Sequence, residues 1–383
     1  MKILHCVHSC NPEGGGVWQA ILQFSKELHR QGHETCTATT DPQDAPWCKD
    51  AGVPIAPLGP ARNSYGYAPA YKPWLKSHAR EYDCAIAHGL WQYPGRALRQ
   101  VLTSMGVPYF VYPHGMLDPW FKETYPLKHL KKAIYWKLNE SRLLREARSV
   151  LFTCEEERRL AQDTFRPYKC TETIAPLGIE QPEGMPEQQE TAFLEQYPKL
   201  EPNGFLLFLS RVHEKKGLDL LLDALLRLDR PPPPVVVAGP VDSNSHFEKL
   251  RKMEANISAR HNGWKIIWAG MLTGDLKWGA LRTAGALILP SHQENFGIAV
   301  VEALAAGTPV LLSKKVNIWR EIVEDKAGFA DSDTIEGTRQ ILHRWLSLDG
   351  PSRKAMGQRA TQCFTRRFEI KAAANHLANL LAT

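Results

Sequence analysis

Two glutamates, two cations and a histidine are the residues of this sequence whose types and spacing could do chemistry. Glu294 and Glu302 stand on either side of the start of an apolar run, Ile298 to Ala306, with Asn295-Phe296-Gly297 between them. The run holds no helix breaker and ends at Gly307 and Pro309, the residues expected just past a helix C-terminus. Short apolar runs flank the stretch, Ala286 to Leu289 before it and Val310 to Leu312 after it, in the pattern of buried parallel strands. The spacing predicts strand, polar loop, short helix, strand. Glu302 is the only charged residue of that helix, and a buried carboxylate is costly unless partners satisfy it. Glu294 lies in the loop ahead of the helix. There Gly297 lets the backbone approach a ligand, and the helix N-terminus favours an anion such as phosphate. The bland alternative for Glu302 is a structural acid paired with a nearby lysine.

Earlier in the chain, the strand Phe205 to Leu209 runs into Ser210-Arg-Val-His-Glu-Lys-Lys-Gly217. A helix follows with Leu218, Leu221, Leu222, Leu225 and Leu226 on its core-facing stripe. Two cations in a turn ahead of a helix N-terminus make a site for a diphosphate. Arg211 is one of them, and Lys215 or Lys216 the other. Surface charge is the competing explanation.

The elements that must position these groups fall into two halves. The chain opens with the strand Ile3 to Val7, the loop His8 to Gly16 with Gly14, Gly15 and Gly16 in a row, and a helix from Val17 to Arg30 closed by Gly32. Strand, glycine-rich loop and helix begin a Rossmann-like unit, although three consecutive glycines are not a dinucleotide fingerprint. The strand Ala85 to Ala87 leads into His88-Gly-Leu-Trp91, and the strand Tyr109 to Tyr112 into Pro113-His-Gly-Met116. Both loops leave carboxyl ends of strands, where open α/β sheets bind ligands. His114 is thereby a candidate, against a structural role. Trp91 either stacks on a sugar or plugs a domain edge. Residues 41–76 show little periodicity and are expected as irregular loops. Residues 180–203, rich in Glu, Gln and Pro, are expected as a linker. Thereafter strands at Val235 to Ala238 and Lys265 to Trp268 alternate with helices from Ser245 to Arg260 and Asp275 to Ala284. That alternation builds a parallel sheet covered by helices on both faces.

At 383 residues the chain exceeds what one hydrophobic core usually supports, so two domains are expected. Mean hydropathy of −0.33 and the lack of any long apolar run argue against a polytopic membrane protein, and the first strand is too short and too polar for a signal peptide. A cytoplasmic protein is expected. The eight cysteines are dispersed with no C-x-x-C pair, as for free buried thiols rather than disulfides or a zinc site. The net charge of +6 suits acidic ligands or an anionic surface, and no motif supports nucleic-acid binding. The segment 122–148 has Ile134, Leu138, Leu143 and Leu144 as apolar positions among Lys128, Lys131, Lys132, Lys137, Arg142, Arg145 and Arg148. This is the pattern of a helix lying on an anionic membrane, or of a solvated basic face. Asp331-Ser-Asp333 formally matches a D-x-D metal motif, but its position predicts an N-cap at Asp333 for a helix starting near Thr334.

The spacing Glu294-x7-Glu302, together with Arg211-x4-Lys216, resembles the family 4 retaining glycosyltransferases, also called glycosyltransferase group 1. The Lys-Gly step of that motif favours Lys216 over Lys215. The resemblance implies a GT-B fold, an α/β architecture of two facing Rossmann-like domains with parallel sheets and an interdomain cleft. The acceptor-side domain would cover 1–178 and be completed by a C-terminal helix at about 366–383. A linker would follow at 179–203, and then the nucleotide-sugar domain at 204–365. It implies a transferase that moves a sugar from a nucleoside diphosphate sugar, UDP favoured over GDP, to a hydroxyl of a saccharide or lipid-linked saccharide, in polysaccharide or glycoconjugate biosynthesis. Glu302 would accept from ribose hydroxyls, and Glu294 from the sugar. Arg211, Lys216 and the helix beginning near Gly297 would stabilise the leaving diphosphate without a metal or other cofactor. His114 would lie near the transferred sugar. Gly15 and Gly16 would lie beside the donor phosphates, Met271 and Leu272 in the loop that reads the base, and Asn295, Phe296, Gly297 and Ile298 along the donor. His88 and Trp91 are acceptor candidates. A sugar-nucleotide epimerase on the same fold and a non-catalytic sugar-nucleotide-binding subunit are the rival readings.

Overall fold

A computed structural model describes residues 1–124, 126–241, 245–262 and 264–382. The chain folds as two units, Met1–Glu180 with Glu369–Thr383, and Gln181–Phe368. In the first unit the strands are β1 Lys2–Cys6, β2 Glu34–Thr39, β3 Ile55–Pro57, β4 Cys84–His88, β5 Tyr109–Tyr112, β6 Ser149–Phe152 and β7 Glu172–Ile174. All pair in parallel, in the order β3-β2-β1-β4-β5-β6-β7. The second unit repeats the plan with β8 Leu206–Leu209, β9 Val235–Ala238, β10 Ile266–Gly270, β11 Ala286–Leu289, β12 Val310–Ser313 and β13 Gly328–Asp331, in the order β10-β9-β8-β11-β12-β13. Two parallel-sheet α/β units are what the alternation of strand and helix implies. The central strands are buried on both faces, which is why they read as short continuous apolar runs such as Val235-Val-Val-Ala238 and Ala286-Leu-Ile-Leu289.

Each sheet reverses its strand order once, between β1 and β4 in the first unit and between β8 and β11 in the second. Loops leaving the carboxyl ends of such neighbouring strands diverge, and a crevice opens between them. Everything below concerns those two crevices.

Several elements differ from the sequence-based expectation. Within 41–76 the chain forms helices Pro46–Lys49 and Tyr71–His78 and the edge strand β3. Their short lengths leave little periodicity to detect. Residues 179–203 are not a free linker: Pro186–Gln196 is a helix packed on the helix Gly274–Thr283, with Phe193 fully buried. A Cβ on Gly279 would collide with the carbonyl of Gln189, so this glycine permits the close helix contact. The last helix, Ile370–Ala382, belongs to the first unit, where it packs on the helix Gly16–Arg30. Between Trp120 and Glu146 the chain is a series of short helices, Trp120–Thr124, Pro126–Tyr135 and Ser141–Glu146, with a π-turn at Trp136–Glu140. Tyr125 of this segment lies outside the described residues. All eight cysteines are free. No helix among the described residues is long and apolar enough to cross a membrane.

Candidate active site

In the second unit the crevice is built by the loops after β8 and β11. Gly217 ends the first loop at φ 70° and starts the helix Leu218–Leu226. Any Cβ there would strike the carbonyl oxygen of Pro290 at the end of β11. Glycine therefore lets the two loops touch, and Lys216 next to it reaches the second loop. The Lys216 ammonium donates to the Glu294 carboxylate, both side chains being about one-fifth exposed (18% and 22%). The backbone of His292 donates to the Lys215 carbonyl at 2.9 Å and ties the same loops together. Arg211 is exposed and makes no ion pair among the described residues.

The helix after the second loop is Ile298–Ala305, capped by Gly297 in the left-handed conformation at φ 69°. Glu302 sits on it, and its Oε1 accepts from Lys277 Nζ at 2.7 Å. Lys277 comes from the helix Gly274–Thr283 and also lies 4.9 Å over the Trp278 ring. The structure thus supplies the lysine partner that the bland reading of Glu302 requires. Lys277 carries no sequence signal, being one lysine on a partly exposed helical turn.

Other expected donor contacts divide. Asn295 accepts from Asn317 Nδ2 at 3.1 Å, an internal bond that braces the loop. Phe296 is buried and packs edge-on against Phe368 at 5.9 Å, so it is a core residue rather than a ligand-facing one. Ile298 opens the helix. Met271 is largely exposed beside Gly270, which has φ 65°, whereas Leu272 is buried. Asp333 is not an N-cap. Thr334 caps the helix Ile335–Leu346 by accepting from Gly337, while Asp333 pairs with His292 Nδ1 at 3.0 Å. Hydroxyl and carboxylate compete for adjacent positions there, and the histidine from the β11 loop takes the carboxylate.

In the first unit three histidines form a chain at the switch point, running from the buried His5 and His88 to the partly exposed His114. His5, in β1, has its Nδ1 2.9 Å from His88 Nε2. His88, the last residue of β4, has its Nδ1 3.0 Å from His114 Nε2. His88 and His114 stack on each other at 5.2 Å and on Tyr112 at 5.7 and 5.3 Å. Burial lowers the pKa of His5 to about 4, with His29 adding to the effect, and lowers His114 to about 4. His88 is pushed well below its ordinary value by burial and then by its two histidine neighbours. The three rings are neutral at physiological pH. The sequence suggests His88 as an acceptor contact. Instead both its nitrogens are engaged internally, which corrects that assignment.

His114 adopts φ 51°, a left-handed conformation that costs a non-glycine residue of order 1 kcal/mol or more and needs support. Glu157 supplies it: one carboxylate oxygen accepts the Gly115 N–H at 2.6 Å, the other the N–H and hydroxyl of Thr153 at 2.7 Å each. Trp91 also has positive φ, at 73°, and its N–H donates to Glu140 at 3.1 Å. Burial raises the Glu140 carboxyl to about 7, against the opposing pull of the Trp91 N–H, Lys132 and Arg99. The Trp91 ring packs on Phe165 at 5.1 Å and on Trp136 at 6.2 Å, beneath Lys132 Nζ at 4.6 Å. Of the two readings of Trp91, the internal plug is the one observed. Gly15 and Gly16 are exposed at the start of the helix Gly16–Arg30, with φ 100° at Gly15. His5, Glu140 and Glu157 escape a reading of motifs. Only the oddity of a histidine inside a buried strand could have pointed to His5.

Comparison with known proteins adds to this geometry. Residues 189–362 match the family described as glycosyl transferases group 1, and residues 15–175 the glycosyl transferase 4-like domain. An uncharacterised glycosyltransferase of Methanocaldococcus jannaschii is 30% identical over 37% of this chain and 36% of its own length. The chain is 22% identical, over 99% of its length and 96% of the relative's, to a GDP-mannose-dependent α-(1-6)-phosphatidylinositol dimannoside mannosyltransferase of Mycobacterium tuberculosis. In structure it resembles Anabaena HepE in complex with UDP, with a TM-score of 0.77, 16% identity and full coverage of both chains. That likeness establishes the GT-B fold.

Proposed function

We propose, since this chain belongs to the group 1 glycosyltransferases, that it transfers a sugar from a nucleoside diphosphate sugar to a hydroxyl of a saccharide or lipid-linked saccharide, with retention at the anomeric carbon. The observation that carries the reading is the meeting of Lys216 and Glu294 where the β8 and β11 loops cross the switch point of the second sheet. Lys216 and Arg211 are placed on one loop ahead of a helix and are suited to two phosphates. In the reaction the bond from the anomeric carbon to the diphosphate oxygen breaks with its electron pair moving onto the diphosphate. The acceptor oxygen bonds to the same carbon, and its proton passes to the departing group. Arg211, Lys216 and the N-terminus of Ile298–Ala305 stabilise the charge that develops. Such electrostatic stabilisation usually lowers the barrier more than any other effect, and here it lets the step proceed without a metal. Glu294 accepts from sugar hydroxyls when the phosphates draw Lys216 away from it. Glu302 accepts from the ribose through the oxygen that Lys277 leaves free. His114 is assigned to the transferred sugar, as the family resemblance implies.

A UDP-sugar is the preferred donor, and a GDP-sugar the first competitor, given that a relative is GDP-mannose-dependent. Titration with UDP-, GDP- and ADP-sugars, followed by product analysis with and without a saccharide acceptor, tests the whole reading. A changed sugar nucleotide formed without acceptor would establish epimerisation instead, and binding without any turnover a silent subunit.

The acceptor side of the reading includes peripheral membrane contact, in keeping with a lipid-linked saccharide. Leu127, Leu130, Ile134 and Leu138 are each at least 60% exposed and recur at helical spacing, with Lys128, Lys131 and Lys137 beside them. Exposed apolar side chains flanked by lysines match an anionic bilayer surface, which takes up both. Sedimentation with phosphatidylglycerol vesicles should pull the protein down. The Leu130→Glu/Ile134→Glu variant should stay in solution, and equal recovery of the two would remove the membrane from the reading.

A further inference from the structure

The chain of three histidines has only two ways to place its protons. Each ring is neutral and carries one N–H, and each of the two inter-ring bonds needs one proton. In the first arrangement His5 Nδ1–H donates to His88 Nε2, His88 Nδ1–H donates to His114 Nε2, and His114 is left with its proton on Nδ1. In the second every bond reverses. His114 then donates inward from Nε2 and presents a bare Nδ1, while His5 carries its proton on Nε2. That Nε2 is buried and has no hydrogen-bond partner. The second arrangement therefore strands an N–H donor in the core, and genuinely orphaned buried N–H groups are rare. The first strands only a lone pair.

We infer that His5, acting through His88, sets the tautomer of His114, so that His114 offers an Nδ1–H donor to its ligand. The geometry fits a relay of orientation. His5 and His88 are held in adjacent strands β1 and β4, where Cys6 pairs with Ala87, and neither ring is free to turn without losing its bond. His114 Nδ1 makes no hydrogen bond among the described residues, and the His114 side chain is half-buried rather than sealed in. The group it meets must accept a hydrogen bond, as a sugar hydroxyl or ring oxygen does. His5 and His88 are then positioning residues, and only His114 touches the ligand. The inference rests, for what the donor meets, on the reading that His114 contacts the transferred sugar.

Long-range ¹H–¹⁵N spectra of the unliganded, ¹⁵N-histidine-labelled full chain at pH 8 read the tautomers directly. Each ring is assigned from the signal lost in its own variant. The expected result is a proton on Nδ1 in His5, His88 and His114. A His114 protonated on Nε2 in the wild type overturns the inference whatever the transfer rate. His5→Leu should release His114 from the Nδ1–H form and lower kcat by about three- to tenfold, the worth of one hydrogen bond. His5→Asn, whose amide N–H lies near the place of Nδ1–H, should restore the tautomer and raise kcat above that of His5→Leu. A folded His5→Leu with unchanged tautomer and unchanged kcat also overturns the inference. Should His5→Leu not fold, the wild-type spectrum and His5→Asn still decide. Normal transfer by His114→Ala would instead remove the sugar contact on which the inference rests, while the tautomers read from the wild-type spectrum would stand.

Discussion

Both units wind their sheets in the same order and place their candidate groups at the same switch point, yet the two crevices hold opposite chemistry. Between β1 and β4 lie neutral rings, His5, His88 and His114, stripped of charge by burial. Between β8 and β11 lies the Lys216–Glu294 ion pair, with the Lys277–Glu302 pair on the adjoining helices, each side chain keeping part of its surface in solvent. Desolvation decides the difference. A ring enclosed by a sheet and its loops cannot hold a second proton near neutral pH, whereas the carboxylates of the second crevice meet lysine partners and keep contact with water. A neutral, hydrogen-bonding crevice suits a polyhydroxylated ligand, and a charged one suits a diphosphate. One topology thus holds a neutral cluster at one switch point and paired charges at the other.

The comparison breaks most visibly in the charged crevice. Arg211→Ala with Lys216→Ala should weaken nucleoside diphosphate binding by about tenfold or more for each residue, since charge-assisted contacts contribute roughly 1.5–3 kcal/mol apiece. Calorimetry with UDP and GDP checks it, and an unchanged affinity would detach the phosphates from this crevice.

The neutral crevice should reveal itself in acid. His5 and His114 titrate near 4 when folded and near 6.5 when unfolded. Because the folded values are the lower ones, the unfolded chain binds more protons between these limits, and stability falls as pH drops from about 6.5 towards 4. Above that window the effect is absent. Each buried ring contributes a slope of up to about 1.4 kcal/mol per pH unit. Thermal melts from pH 8 down to pH 4 should show a Tm that falls with pH, with a shallower slope in His5→Asn. An equal slope would mean that the pKa of His5 is not lowered in the native state.

A finer contrast lies within the charged crevice. Glu302→Gln should weaken free nucleotide about tenfold, because an amide accepts hydrogen bonds about half as strongly as a carboxylate. Glu294→Gln should leave nucleotide binding near wild type and lower kcat. The isosteric change keeps the packing, so a loss is not a cavity effect. If Glu302→Gln alters only the melting temperature, its bond to Lys277 is structural and the ribose role falls. The smallest expected effect is that of chelation. EDTA should leave the transfer rate unchanged, and loss of activity restored by Mn²⁺ would show that the cations do not act alone on the diphosphate.

The parts of the site that can be read along the chain are those whose members are neighbours in sequence. Gly297 with its helix, Lys216 before Gly217, and His114 between Pro113 and Gly115 are local arrangements, and the turns that place them are encoded by glycine and by the apolar runs on either side. Residues 186–196 hide their helix because its apolar content is reduced to a few positions, of which Phe193 does the packing. Trp91 keeps two readings open in the sequence because an aromatic ring serves either a sugar or a core. Phe165 and Trp136, distant in sequence, take it for the core.

By itself the sequence determined the alternation of strands and helices and the division into two α/β units, and its motif spacing singled out Arg211, Lys216, Glu294 and Glu302 as candidates, since periodicity, breakers and spacing are local properties of a chain. The tertiary structure alone decided the partners. Parallel strands joined by crossovers bring His5 to His88, the β5 loop brings His114 to His88, and helix packing brings Lys277 to Glu302. It decided charge as well, because how far a histidine or a lysine is removed from water depends on what packs over it and not on its neighbours in sequence.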